Sequence, residues 1–277
     1  MTEFQKTADF ENKISSFVGA PHCVVTVNGT VALSLALMTV GVGIDDEVLV
    51  PNLTMIATPN SVQLLKGKVV LVDVEPESLC MDVKLIEKNI TKKTKALLYV
   101  SLNGRSGNLK QVREICQAYN IFLIEDAAQS FGSYHNGLHL GRYGDMGVFS
   151  FSMPKIITTG QGGAIIFDEN KYKKKLRKLK DFGRENGGHD IHDDIGYNFK
   201  FTDIQSVIGL AQLEMISKRV SRKKKLYSTY RDEFSSIPEI QFLPTNLEET
   251  TPWFVDIFLE KRDALMAYLK ENFIGSR

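Results

Sequence analysis

Cysteine is scarce in this 277-residue chain. The three present, Cys23, Cys80 and Cys116, are far apart, odd in number and never in C-x-x-C spacing, so neither a disulfide framework nor a zinc site is indicated. Excess charge of one sign is also missing, with 34 Lys and Arg against 33 Asp and Glu. No global field therefore marks the chain as a binder of nucleic acid or of a membrane surface. Long apolar runs are absent too. Nothing approaches the roughly 18 apolar residues of a membrane span, and the opening MTEFQKTADFENK has no apolar leader core, which leads to the expectation of a cytoplasmic protein. Two nucleotide signatures are lacking. There is no G-x-x-x-x-G-K-[ST], and Gly41-Val42-Gly43 follows a helix-like rather than a strand-like stretch and has no third glycine.

What is present is a 43% hydrophobic composition, enough for one large core and a small second lobe. Short apolar runs at 24–27, 47–50, 68–74, 96–102 and 121–124 alternate with amphipathic stretches, including 10–18, 83–89 and 109–119. The segment 52–65 also reads as leading into a helix. This alternation predicts an α/β domain around a mainly parallel sheet, in which ligands bind beyond the carboxyl ends of the strands.

The most informative stretch is GVFSFSMPKIITTGQGG, 147–163: an apolar strand, a lysine at Lys155, a Thr- and Gly-rich turn, and a second apolar strand at 164–167. A lysine between two buried strands either snorkels its head to solvent or is a Schiff-base lysine, whose partly desolvated amine attacks an aldehyde cofactor, chiefly pyridoxal phosphate. Two other groups fall at the same sheet edge. Asn28-Gly29-Thr30 joins a strand to an apolar helix, which makes either a simple Thr30 N-cap or an anion site of free N–H groups. Glu125-Asp126 follows directly on the strand IFLI. A lysine, a helix N-terminus and a carboxylate match the needs of pyridoxal phosphate for an amine, a phosphate cradle and a partner to the pyridine nitrogen.

Other features read as bland. His135 with His139, and His189 with His192, sit in Gly-rich loops and are expected to be exposed turn residues rather than metal ligands. The basic runs KYKKKLRKLK (171–180) and KRVSRKKK (218–225) are expected to be solvated helix faces, the alternative being contact with an anionic substrate; no interleaved aromatics support nucleic acid. A long helix over 203–234, bending near Val220, should lead into strands at 240–242 and 253–258 and a helix at 263–272.

The motifs NGTVALSLAL, GIDDEVLVPNLT, IEDAAQSFGS, GRYGDMGVFSFSMPKIITTGQGG and DFGRENGGHDIHDDIGYNFKFTDIQSVIGLAQLE occur in that order, and together they resemble the DegT/DnrJ/EryC1/StrS sugar aminotransferases. The resemblance implies a fold type I aminotransferase: a large α/β domain at 1–220 and a small, incomplete C-terminal α/β lobe at 221–277. It implies pyridoxal 5'-phosphate as cofactor and Lys155 as the catalytic lysine. Asp126 would pair with the pyridine nitrogen, Gln129 with the phenolic oxygen, and Gly29, Thr30 and Ser150 with the phosphate. Met55 would pack on the ring, and Asn198 would reach the phosphate site of a second copy in a homodimer. Substrates would be glutamate and a nucleotide-linked keto sugar, with Arg184 a position-based candidate for the diphosphate. Departures from the family pattern are Gln161, where relatives carry glutamate, and ends that read as short, the C-terminal one especially. They keep open the alternative of a truncated relative that binds cofactor or a partner without turnover.

Overall fold

The computed structural model describes residues 4–184 and 190–276. The elements in chain order begin α1 (Gln5–Val18), β1 (His22–Thr26), α2 (Gly29–Thr39), β2 (Glu47–Pro51), α3 (Ala57–Gln63), β3 (Lys68–Val72), α4 (Val83–Asn89), β4 (Thr94–Val100), α5 (Leu109–Ala118) and β5 (Phe122–Asp126). They continue with the ribbon β6 (Tyr134–His135) and β7 (Leu138–His139), then β8 (Met146–Ser150), β9 (Gly163–Phe167), α6 (Asn170–Lys180), α7 (Asp203–Glu214), α8 (Ile216–Glu233), β10 (Gln241–Phe242), β11 (Ile257–Phe258) and α9 (Arg262–Glu271).

Seven strands form one sheet in the order β1-β9-β8-β5-β4-β2-β3. Neighbours from β8 to β3 run parallel, whereas β9 lies antiparallel to both β8 and β1. Two reversals leave β1 pointing the same way as β8. The carboxyl ends of β1, β5 and β8 therefore share one edge.

The strands are apolar on both faces because helices cover both, as a parallel sheet requires. Alternate residues divide between the layers: Val24, Val48, Leu98, Val148 and Ile165 pack with α2 and α6. On the other face Val25, Phe149 and Ile166 pack with α1, while Leu49, Leu97 and Leu123 pack with α4 and α5. Each large apolar side chain so buried contributes about 1.5–3 kcal/mol. Helix α2 is buried nearly all round, which explains its unbroken apolar sequence.

Three expectations need correction. The long helix is broken at Met215, not near Val220, into α7 and α8. The strand expected from 253 begins only at Ile257, the residues before it forming an irregular strap that bends at Trp253 and Phe254 and is hydrogen-bonded to the turn after β5. Asn28, not Thr30, caps α2, its Oδ1 accepting the Val31 N–H at 2.8 Å. The position 220 falls inside α8. No helix among the described residues is long and apolar enough to cross a membrane.

Candidate active site

The loop from Phe151 to Gly162 joins β8 to β9, and Lys155 sits on it, partly buried. A turn locks the lysine in place: its own N–H bonds the Ser152 carbonyl at 3.0 Å, while Thr159 N–H returns to the Phe151 carbonyl at 3.0 Å. Gln129, Ser150 and Lys155 line one pocket together with Phe131, Lys223, Pro252 and Trp253.

Asp126, at the end of β5, is 6% exposed. Burial pushes its carboxyl pKa up, opposed by the Thr58 hydroxyl, the Ala128 N–H and the charge of Lys155. Thr58 Oγ1 donates to Oδ2 at 2.8 Å and Ala128 N–H to Oδ1 at 3.2 Å. Its neighbour Glu125 points to the opposite face, where it accepts the N–H groups of Gly141, Tyr143 and Gly144; burial nevertheless lifts its pKa to about 7.

Gly29 meets Ser150 across β9's end. A Cβ on Gly29 would lie 2.9 Å from the Ser150 Cβ, so only glycine permits this approach. The first-turn N–H groups of Gly29 and Thr30 have no acceptor within the helix and carry its positive dipole end. These N–H groups stand against Ser150, which itself lines the pocket of Lys155.

Of the expected residues only Gln129, Ser150 and Lys155 line this pocket; Gly29, Thr30 and Asp126 lie at the same sheet edge outside its lining, and three others stand apart from it. Met55 is 61% exposed on the loop before α3, Asn198 is exposed with its backbone bridged to Asp181, and Arg184 donates from Nη2 to Asp181 at 2.6 Å. The glycine-rich segment beside Arg184, residues 185–189 with His189, lies outside the described residues.

Trp253, absent from the sequence-based candidates, covers the lysine. The Lys155 Nζ stands 3.6 Å from its ring centroid, and its indole N–H donates to the Pro154 carbonyl at 2.8 Å. The strap that carries it is held by Tyr134 N–H on the Glu249 carbonyl (2.8 Å), by Thr251 Oγ1 on the Gly132 carbonyl (2.7 Å), and by Lys223 Nζ on the Trp253 carbonyl (2.8 Å). Arg219 also reaches inward, to the Ile156 carbonyl at 3.2 Å.

The basic runs are therefore not uniformly solvated. Lys223 and Arg219 of α8 hold the strap and the lysine loop. In α6, Lys180 is buried on the Val25 carbonyl (2.9 Å) beside Glu11. His139 is likewise not an exposed turn residue but 2% exposed, packed among Phe17, Phe131, Tyr134 and Phe149. No cluster of three metal-ligating side chains occurs among the described residues.

A family model described as the DegT/DnrJ/EryC1/StrS aminotransferase family matches residues 1–277. The chain belongs to this family. Among curated relatives, the GDP-perosamine synthase of Vibrio cholerae is 34% identical over 273 residues, which are 97% of this chain and 74% of that protein. The Streptomyces enzyme DesV, solved in complex with a ketimine intermediate, superposes with a TM-score of 0.92 at 28% identity, covering 99% of this chain and 74% of DesV. NtdA from Bacillus subtilis, solved with bound cofactor PMP, gives 0.90 at 28%, covering 98% of this chain and 63% of NtdA. The fold is thus that of the type I aminotransferases, and the DegT/DnrJ/EryC1/StrS family is pyridoxal-phosphate dependent.

The donor set at the sheet edge suits that cofactor: an amine on Lys155, a buried carboxylate, and a phosphate cradle at a helix N-terminus. Space is the constraint. The free volume beneath Trp253 is about 10 Å³, room for one water.

Proposed function

We propose that this chain is a pyridoxal-phosphate-dependent aminotransferase that moves an amino group from glutamate to the keto carbon of a nucleotide-linked deoxy sugar, for amino-sugar or surface-polysaccharide synthesis. The observation that carries the reading is the convergence of Lys155, Asp126 and the Gly29–Ser150 approach at one sheet edge. When bound, the cofactor supplies an electron sink that renders the C–H beside the transferred nitrogen acidic.

The remaining work falls to the chain. Lys155 anchors the cofactor through Nζ and takes and returns the proton at the substrate carbon. Asp126, whose ionisation burial opposes, regains it beside a cationic ring nitrogen and so holds the proton there, with Thr58 fixing the carboxylate's angle. Gly29, Thr30 and Ser150 bind the phosphate and Gln129 the phenolic oxygen. Met55 would pack on the ring, and the exposed Asn198 would belong to a homodimer in which each copy completes the other's phosphate site. Arg184 faces the sugar's diphosphate. Residues 1–220 hold the cofactor and 221–277 form the second lobe, in a cytoplasmic enzyme. Since a relative at 34% identity is named a GDP-perosamine synthase, GDP-linked keto sugars are the first substrates to test.

One observation favours a second reading, a chain that binds cofactor or a partner without turnover: Trp253 covers Lys155 and leaves about 10 Å³. Visible absorbance separates the two. Added pyridoxal phosphate should give a yellow, lysine-bound band in the wild type that bleaches with glutamate, and no such band in Lys155→Ala. A band that ignores glutamate selects the second reading; no band at all refutes both enzyme and cofactor.

A further inference from the structure

Between β4 and α5 the chain turns through Asn103, a residue with a left-handed backbone (φ 54°, ψ 26°) inside a 3₁₀ turn. Asparagine tolerates that conformation better than most residues, yet its side chain is not there merely to permit it. Asn103 is 2% exposed, and its N–H, Oδ1 and Nδ2 are all hydrogen-bonded.

Its backbone N–H donates to Gln129 Oε1 at 2.8 Å. An N–H group can only donate, so the Gln129 oxygen must face Asn103 and the amide's NH₂ group is turned the other way. Gln129 lines the pocket with Lys155, so the donor end of its amide is the one presented to a ligand. Without this backbone N–H the two ends would be interchangeable. An acceptor facing an anionic phenolic oxygen would repel it.

The side chain does a second task. Oδ1 accepts the Phe254 N–H at 2.7 Å and Nδ2 donates to the Phe254 carbonyl at 3.1 Å, a two-point grip on the backbone next to Trp253. Two residues on, Arg105 pairs with Asp256 of the same strap. Gly104 between them is pressed on it, a Cβ there falling 2.7 Å from the Thr251 carbonyl.

We propose that Asn103 is a positioning residue of the cofactor pocket: its N–H orients the Gln129 amide to present a donor, and its side chain holds the strap whose Trp253 ring lies on Lys155. The inference rests on the aminotransferase reading and adds to it a residue that touches neither cofactor nor reacting atoms. It adds a link through Gln129 and Phe254 between the turn after β5 and the strap before β11, which also meet through Thr251 and Gly132.

The test uses Asn103→Gly, which keeps the left-handed backbone and its N–H but removes the grip on Phe254. Asn103→Asp, which keeps the volume and Oδ1 but sets an acceptor against the Phe254 carbonyl, guards against misfolding of the first. Trp253 is the chain's single tryptophan, so its fluorescence reads the strap without cofactor. Both variants should raise the acrylamide quenching constant of the cofactor-free protein and weaken pyridoxal phosphate binding about five- to tenfold, the loss of one or two buried hydrogen bonds. The pH midpoint of the lysine-bound band should shift as well, because the Trp253 ring is no longer held over the Lys155 amine. Folded variants with unchanged quenching, affinity and midpoint overturn the proposal. Raised quenching with unchanged affinity and midpoint makes Asn103 a residue of the fold alone and overturns it as well. A wild type that forms no lysine-bound band refutes the aminotransferase reading, and this proposal with it; a normal wild type beside indifferent variants refutes this proposal only.

Discussion

Protonating His139 should unfold one shoulder of the pocket, and the size of the effect follows from its surroundings. Its Nε2 accepts the Gly132 N–H at 2.9 Å while Nδ1 donates to the Leu140 carbonyl at 2.5 Å, an arrangement that only the neutral Nδ1–H tautomer satisfies. A proton on Nε2 would face the Gly132 N–H. Burial among four aromatic rings is the first cause of a pKa lowered to about 4, with Arg142 adding to it and the Leu140 hydrogen bond opposing. The unfolded chain binds this proton near pH 6.5, the folded chain only near 4, so between those values the unfolded state holds more protons. Stability is therefore full above pH 6.5 and falls as pH drops toward 4, at about 1.4 kcal/mol per unit and about 3 kcal/mol in all. The assay is urea unfolding of wild type and His139→Gln at intervals from pH 7 to pH 4. Glutamine retains an acceptor and a donor but does not titrate. The carboxylates change both proteins alike, and the difference in their slopes isolates the histidine. Parallel curves would refute the assignment of a neutral, doubly bonded His139.

Two further expectations concern the carboxylates at the end of β5. Glu125→Gln must set an NH₂ group against backbone N–H donors of Gly141, Tyr143 or Gly144, and should cost about 2–4 kcal/mol of unfolding free energy in urea titrations; a loss under 1 kcal/mol would show that the loop adapts. Thr58→Val removes the hydroxyl from Asp126 while keeping the shape, and should weaken pyridoxal phosphate binding about tenfold, as expected for a hydrogen bond to a charged group, with little change in melting temperature. Equal affinity by absorbance titration would remove Thr58 from the site.

The parts of the site that were legible in the sequence are those fixed by strand ends. Lys155, Asp126 and Gly29 each follow a short apolar run, and the rule that ligands gather beyond carboxyl ends places them at one sheet edge from sequence alone. Trp253, Lys223, Asn103 and Thr58 left no such signal. They reach the site from elements distant in the chain: Asn103 grips Phe254 across 151 positions, and Thr58 reaches Asp126 across 68. His139 was misread because Gly-rich surroundings suggest an exposed turn, whereas Phe17 of α1 and Phe149 of β8 close over it. The break at Met215 carries no proline or glycine; a local backbone of φ −97°, ψ 3° ends α7 there. Basic runs concealed their inward members because a lysine stem reaches buried carbonyls as readily as water.

The pairing of β1 with β9 sets when the site can exist. Thr26 lies opposite Gly163 and His22 opposite Phe167, so the strand leading to Gly29 finds its partner only after most of the chain is in place. Pairings between such distant segments form slowly, since the loop entropy must be met before the contact can offset it. The Gly29–Ser150 cradle depends on that pairing. In refolding experiments, phosphate-sensitive cofactor capture should accordingly lag behind the recovery of helical signal, making the Gly29–Ser150 approach a reporter of one long-range step in assembly.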